Sequence, residues 1–178
     1  MLSMMINNHR LENAKQISSL NFNERPNQTI SLIVIHNMSL PPGEFNNNHI
    51  EDFFTNQLDT NQHPYFKTIK DLKVSTHLLI KRNGRVIQFV AFNQRAWHAG
   101  ESSYKGKHNC NDFSIGIELQ GDDNTPYESV QYEVLNKVID LLKSHYPISA
   151  IKGHNDISPI RKTDPGPYFK WNKLHAIT

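Results

Sequence analysis

The stretch TISLIVIHN, residues 29 to 37, constrains the fold more than any other part of the chain. Ile30, Leu32, Ile33, Val34 and Ile35 are mostly β-branched and form a nearly unbroken apolar run. A strand with one wet face alternates apolar and polar residues; this one does not. It reads as a strand buried on both faces, which requires a sheet covered on either side. The remaining segments supply the parts. THLLIKRNGRVIQFVAF predicts a hairpin with a two-residue turn at Asn83-Gly84. DFSIGIELQG reads as a strand with Phe113, Ile115, Ile117 and Leu119 on one face, and Gly116 and Glu118 on the other. Residues 125 to 145 predict the longest helix, with Thr125 as cap, Pro126 at the first position and Glu128 completing a capping box. Val130, Val134, Leu135, Val138, Leu141 and Leu142 form its apolar stripe. A short helix is expected after Asn46 or Asn47, with Ile50, Phe53 and Phe54 facing inward. PISAIKGH predicts a last short strand and FKWNKLHAI a terminal helix. A chain of 178 residues suits one domain with a real core, here spanning residues 1–178. The expected class is α/β, a central mixed sheet flanked by helices.

Charge and composition narrow the partners. A net charge of +2, with no Lys/Arg-rich run, gives no electrostatic footprint for nucleic acid. No window holds the roughly 18 apolar residues of a membrane span. MLSMMINNHRLENAKQ lacks an apolar core and a small-residue cleavage site, so no secretory signal is read there. A lone Cys110 fits a reducing compartment. These features together predict a cytoplasmic protein.

Of ten histidines, two stand where ligands bind in α/β sheets, at the ends of strands. His36 closes the buried strand, and His154 follows the last one. Asp164 comes ten residues later, in GHNDISPIRKTDPGPYF, a segment stiffened by Pro and Gly. Two histidines and one carboxylate form a catalytic zinc set that leaves a fourth position open. From spacing alone His77 and His98 compete for the ligand seats, while His9, His49, His63, His145 and His175 lack such settings. Glu118 is either a general base facing a cleft or a solvated strand glutamate. Lys162 either stabilises an oxyanion or pairs with Asp164.

Five separated blocks carry a resemblance: LIVIHNMSLPPGEF, HPYF, RAWHAG, CNDFSIGIELQG and GHNDISPIRKTDPGP. Over residues 25 to 175 the chain resembles the type 2 N-acetylmuramoyl-L-alanine amidases, in particular the cytosolic zinc amidases of bacterial cell-wall recycling. Phage amidase lysozymes and peptidoglycan-recognition proteins share that fold. The resemblance implies Zn2+ held by His36, His154 and Asp164, Glu118 as base and Lys162 as charge stabiliser. The implied substrate is an anhydro-muropeptide, cut between the lactyl group of 1,6-anhydro-N-acetylmuramic acid and L-alanine; a monomer is expected. Asn37, Tyr65, Lys73, Trp97 and His98 match substrate-side positions, and His77 and His98 become cleft wall or supports behind the ligands. Three departures bear on mechanism and recognition. Thr76 stands where phage relatives have a tyrosine, which favours Glu118 as the base. Lys73 and Asn109 stand where close recycling enzymes have arginines; lysine lacks the bidentate fork and asparagine lacks the charge. Lys107 or His108 could compensate. Set against this reading are a metal-free muropeptide-binding module, a hydrolase using Cys110, and an amidase acting on intact wall.

Overall fold

The computed structural model of the protein describes residues 4–175. Six strands make the main sheet: β1 (Lys15–Gln16), β2 (Leu32–Met38), β3 (Leu78–Ile80), β4 (Val86–Gln88), β5 (Ser114–Gln120) and β6 (Ala150–Gly153). Their order across the sheet is β6-β2-β5-β3-β4-β1. β6, β2, β5 and β3 run parallel, β4 turns back antiparallel to β3, and β1 pairs parallel with β4. Short two-stranded ribbons lie outside it, one pairing Phe22–Glu24 with Gln94–Ala96. The α/β class with a mixed central sheet is the observed architecture.

The apolar run behaves as its composition demands. Ile33 and Ile35 of β2 join Ile115, Ile117 and Leu119 of β5 against helix α3 (Ser129–His145), through its Leu135, Val138, Ile139 and Leu142. Leu32 and Val34 point the other way and pack with Ala99, Cys110, Phe113 and Ile157. Each such side chain, fully buried, contributes about 1.5–3 kcal/mol relative to exposure. Helices α1 (His49–Phe54) and α2 (Pro64–Ile69) cover Leu79 and Ile87 with Ile50, Phe53, Phe54, Phe66 and Ile69. A fourth short helix, α4 (His154–Ile157), follows β6 directly.

Local details differ from the sequence expectation for identifiable reasons. The hairpin closes through Lys81 N–H to the Arg85 carbonyl (2.9 Å) and Gly84 N–H to the Lys81 carbonyl (2.9 Å). Only Gly84 takes positive φ (80°), so the connection is a three-residue loop with glycine at its left-handed position. α3 starts at Ser129, with Glu128 as cap, because Gln131 and not Glu128 reaches back: its side chain accepts from the Glu128 N–H at 3.1 Å. Val130 consequently falls on the exposed side, and Ile139 takes a core position instead. Asn48 stands at the N-cap position of α1 without a side-chain bond, and the capping bond comes from Asn47, whose Oδ1 accepts from the His49 N–H at 3.1 Å. Phe113 precedes β5 as the cap of a 3-10 turn and packs opposite to Ile115. The expected terminal helix shrinks to one 3-10 turn, Trp171–Lys173, and its last residues lie outside the described ones.

Candidate active site

The carboxyl ends of β6, β2 and β5 converge on one edge of the sheet. Glu118 of β5 pairs in register with His36 of β2, so both side chains leave the same face next to each other. Gly153 ends β6 opposite Ile35, and His154 begins α4 one residue further on. The Pro/Gly-rich segment then loops back. The Asn155 N–H donates to the Asp164 carbonyl at 2.9 Å, and the Pro165 carbonyl accepts from Asn37 Nδ2 (3.0 Å) and the Tyr127 hydroxyl (2.7 Å). Arg161 ties the same segment down by donating from Nη2 to the carbonyls of Ala99 (2.8 Å) and Glu101 (3.0 Å).

This scaffold brings three ligand atoms to one point. His36 Nδ1 lies 3.0 Å from His154 Nδ1 and 3.1 Å from Asp164 Oδ2, and His154 Nδ1 lies 3.0 Å from the same oxygen. The far nitrogen of His154, Nε2, is 3.0 Å from the Ala99 carbonyl, which can only accept, so the His154 ring proton sits there. His154 Nδ1 therefore turns a lone pair toward a carboxylate and a second imidazole. Three electron-rich atoms so close call for a cation between them, and the donor set, two imidazole nitrogens and one carboxylate oxygen, fits a catalytic zinc.

Electrostatics agree. Burial, with His154 as neighbour, pushes His36 down to about 4, so its ring stays neutral at physiological pH. Burial opposes the charge on Asp164, while protons turned toward it from His154 and His36 would draw the carboxyl well below its usual range; with both Nδ1 atoms bare, a cation is what would hold that charge. Glu118 shows the opposite behaviour. Burial and the nearby Asp164 charge raise its carboxyl well above the ordinary value, and Lys162 opposes them. Its Oε2 is buried with no hydrogen-bond partner. A buried acceptor without a partner, facing a cleft, is suited to take a proton from something that enters.

The cleft, of about 510 Å³, is lined by His36, Glu118, His154, Lys162 and Asp164 and by the apolar Leu40, Phe53, Ile69 and Leu72 with Tyr65. Asn37 and His98 also line it. Both Asn37 Nδ2 bonds are internal, to Pro165 and to Asp123 Oδ1 (3.0 Å), which leaves its Oδ1 for a ligand. Tyr65 is 37% exposed at the mouth. Lys73 and Trp97 are not among the lining residues; the Trp97 indole donates to Asn23 Oδ1 at 2.9 Å. His77 is withdrawn from the ligand contest, since its Nδ1 accepts from the Gly116 N–H and its Nε2 lies 3.0 Å from the Gln94 carbonyl. Burial and the adjacent Arg25 guanidinium lower it to about 3. The sequence reading does not single out Ser114, Asp123 or Arg161. Ser114 alone carried a signal: it lies on the same alternating face as Gly116 and Glu118.

Comparison with known proteins decides the family. Residues 26–167 match the family model described as N-acetylmuramoyl-L-alanine amidase. The chain belongs to this amidase family. Its relatives include the 1,6-anhydro-N-acetylmuramyl-L-alanine amidase AmpD of Enterobacter cloacae, 49% identical over 177 residues, which are 98% of this chain and 95% of that one. A crystal structure of a selenomethionine AmpD derivative superposes with a TM-score of 0.95 at 48% identity, covering 97% of this chain and 98% of the other. The Escherichia coli amidase AmiD, solved with the substrate anhydro-N-acetylmuramic acid-L-Ala-D-γ-Glu-L-Lys, matches at 28% identity and a TM-score of 0.59 over 86% of this chain and 64% of that one. This amidase therefore hydrolyses an amide bond.

Proposed function

We propose that this amidase uses zinc to hydrolyse the bond between the lactyl group of 1,6-anhydro-N-acetylmuramic acid and L-alanine, in the cytoplasm and as a monomer. The observation that carries this reading is the meeting of His36 Nδ1, His154 Nδ1 and Asp164 Oδ2 within 3.0–3.1 Å, beside a buried Glu118 oxygen with no partner. Zinc held there by those three residues supplies positive charge that polarises the amide carbonyl and acidifies water. Glu118 accepts the proton of the attacking water and returns it to the departing alanine nitrogen. Lys162 lines the same cleft and stabilises the negative charge that develops on the carbonyl oxygen. Tyr65, Asn37 Oδ1 and the apolar lining residues orient the sugar and peptide.

The proposed arrangement draws its residues from one chain and needs no second subunit. Among the described residues no helix is long and apolar enough to cross a membrane. Cys110 is a buried, free cysteine that burial pushes away from reactivity, so it offers no thiolate for a cysteine mechanism. The testing experiment incubates the protein with an anhydro-muropeptide and with intact sacculi, each with and without chelator, and identifies products by mass spectrometry. Release of the peptide from the anhydro sugar, abolished by chelation, is expected. Preferential cutting of sacculi would assign the enzyme to intact wall, and binding without cleavage would make it a recognition module.

A further inference from the structure

His36 can donate a lone pair from Nδ1 only if its ring proton resides on Nε2, and a buried imidazole does not choose that tautomer unaided. The surroundings of Nε2 are therefore informative. It lies 2.9 Å from Nδ1 of His98. On the other side of that ring, His98 Nε2 lies 3.1 Å from the Ser114 hydroxyl oxygen. The Ser114 hydroxyl in turn stands 2.6 Å from the Cys110 carbonyl.

The proton positions follow from the last member. A carbonyl oxygen only accepts, so the single Ser114 hydroxyl proton is committed to Cys110. The Ser114 oxygen then has only lone pairs to offer, and His98 must donate to it from Nε2. His98 is buried, and its ring meets His36, His77 and Ser114 with no carboxylate among them to hold a second proton, so its Nδ1 is bare. A bare Nδ1 at 2.9 Å requires the proton on His36 Nε2, which leaves His36 Nδ1 open toward His154 and Asp164. We propose that His98 and Ser114 form a one-way hydrogen-bond relay, anchored on the Cys110 carbonyl, that fixes His36 in its metal-binding tautomer. His98 is thus a positioning residue for the metal site. This inference rests on the metal-centre reading given above.

The geometry around His98 is built to hold that ring. A Cβ at Gly116 would stand 2.5 Å from His98 Cγ, so only glycine at this position of β5 lets the ring lie where it does. The backbone is clamped as well: Asn111 Oδ1 accepts from the N–H groups of His98 (3.1 Å) and Ala99 (2.8 Å). Ala99 is the residue whose carbonyl sets the tautomer of His154. One asparagine thereby locates both tautomer-setting residues, Ala99 through its carbonyl on His154 and His98 through its ring on His36. Both His98 nitrogens are used in the relay, so neither is free to ligate metal or to act as a base.

The test compares the parent with Ser114→Ala and His98→Phe. Zinc affinity is measured by competition with a chromophoric chelator, and the His36 tautomer by long-range 1H–15N NMR correlation on the metal-free protein near neutral pH. The parent should show His36 protonated on Nε2. Ser114→Ala should release the relay, populate the other His36 tautomer and weaken zinc binding about 10–100-fold, the usual effect of losing such a partner. His98→Phe, which keeps the ring shape, should weaken it as much. Parent-like zinc affinity in both variants, or a parent His36 protonated on Nδ1, would overturn the relay. A parent that bound no zinc would count against the metal-centre reading, and the tautomer measurement would still decide the relay.

Discussion

Glu118 concentrates the tension between stability and chemistry at a single residue. Its carboxyl is raised by burial and by Asp164, so in the metal-free protein the folded state holds that proton more tightly than the unfolded chain does. The stabilisation is complete below the ordinary glutamate value and fades as pH rises through the raised one. Glu118→Gln, which keeps the shape and removes the charge, should therefore gain stability over the parent as pH increases from ~4 to ~8. Thermal unfolding of the two chelated proteins across that range checks it, and a pH-independent difference would mean that the carboxyl ionises as it does in water. The same substitution should lower kcat by ~10²–10⁴-fold while zinc stoichiometry stays unchanged. Glu118 was legible as a candidate because strand alternation separates it from Ile117 and Leu119. Its isolation was not legible, because it depends on which loops close over the sheet.

At the scale of elements, the signals that resolved best were those written in local pattern. The buried strand, the hairpin and the long helix all stand where periodicity puts them. Their ends moved where a distant partner intervened. Gln131 shows why: it is fully buried, accepts from the Glu128 N–H, and donates from Nε2 to the carbonyls of Ile80 (3.2 Å) and Gln120 (3.1 Å). The helix starts where this amide can reach β3 and β5 together, a choice invisible to a capping rule applied at Thr125. Gln131→Leu removes a buried donor from two carbonyls and should cost about 1–3 kcal/mol of stability. Denaturant unfolding measures that cost; activity per folded molecule should remain at the parental level, since the side chain lies behind the sheet and away from the cleft.

For the whole molecule, the parallel order of β6, β2 and β5 explains why two histidines 118 positions apart meet at 3.0 Å. The sequence placed His36 and His154 at strand ends, yet strand order, which makes those ends neighbours, has no local signature. A metal bridging β2, α4 and the Asp164 segment binds the folded chain alone. Free zinc at ~1,000 times its Kd should therefore stabilise the protein by about 4 kcal/mol, and chelation should lower Tm by roughly 10 °C. Scanning calorimetry with zinc and with chelator checks this, and coincident curves would show that the three segments hold together without an ion.

The place of β2 in the sheet also bears on how the chain is made. It carries the most continuous apolar run and leaves the ribosome before both neighbours, since β5 ends at Gln120 and β6 at Gly153. While most of the remaining polypeptide is still being translated, this sticky segment has no native neighbour to pair with. Nascent chains halted before Gln120 should consequently depend on chaperones, and the danger of aggregation lies in synthesis more than in the finished enzyme.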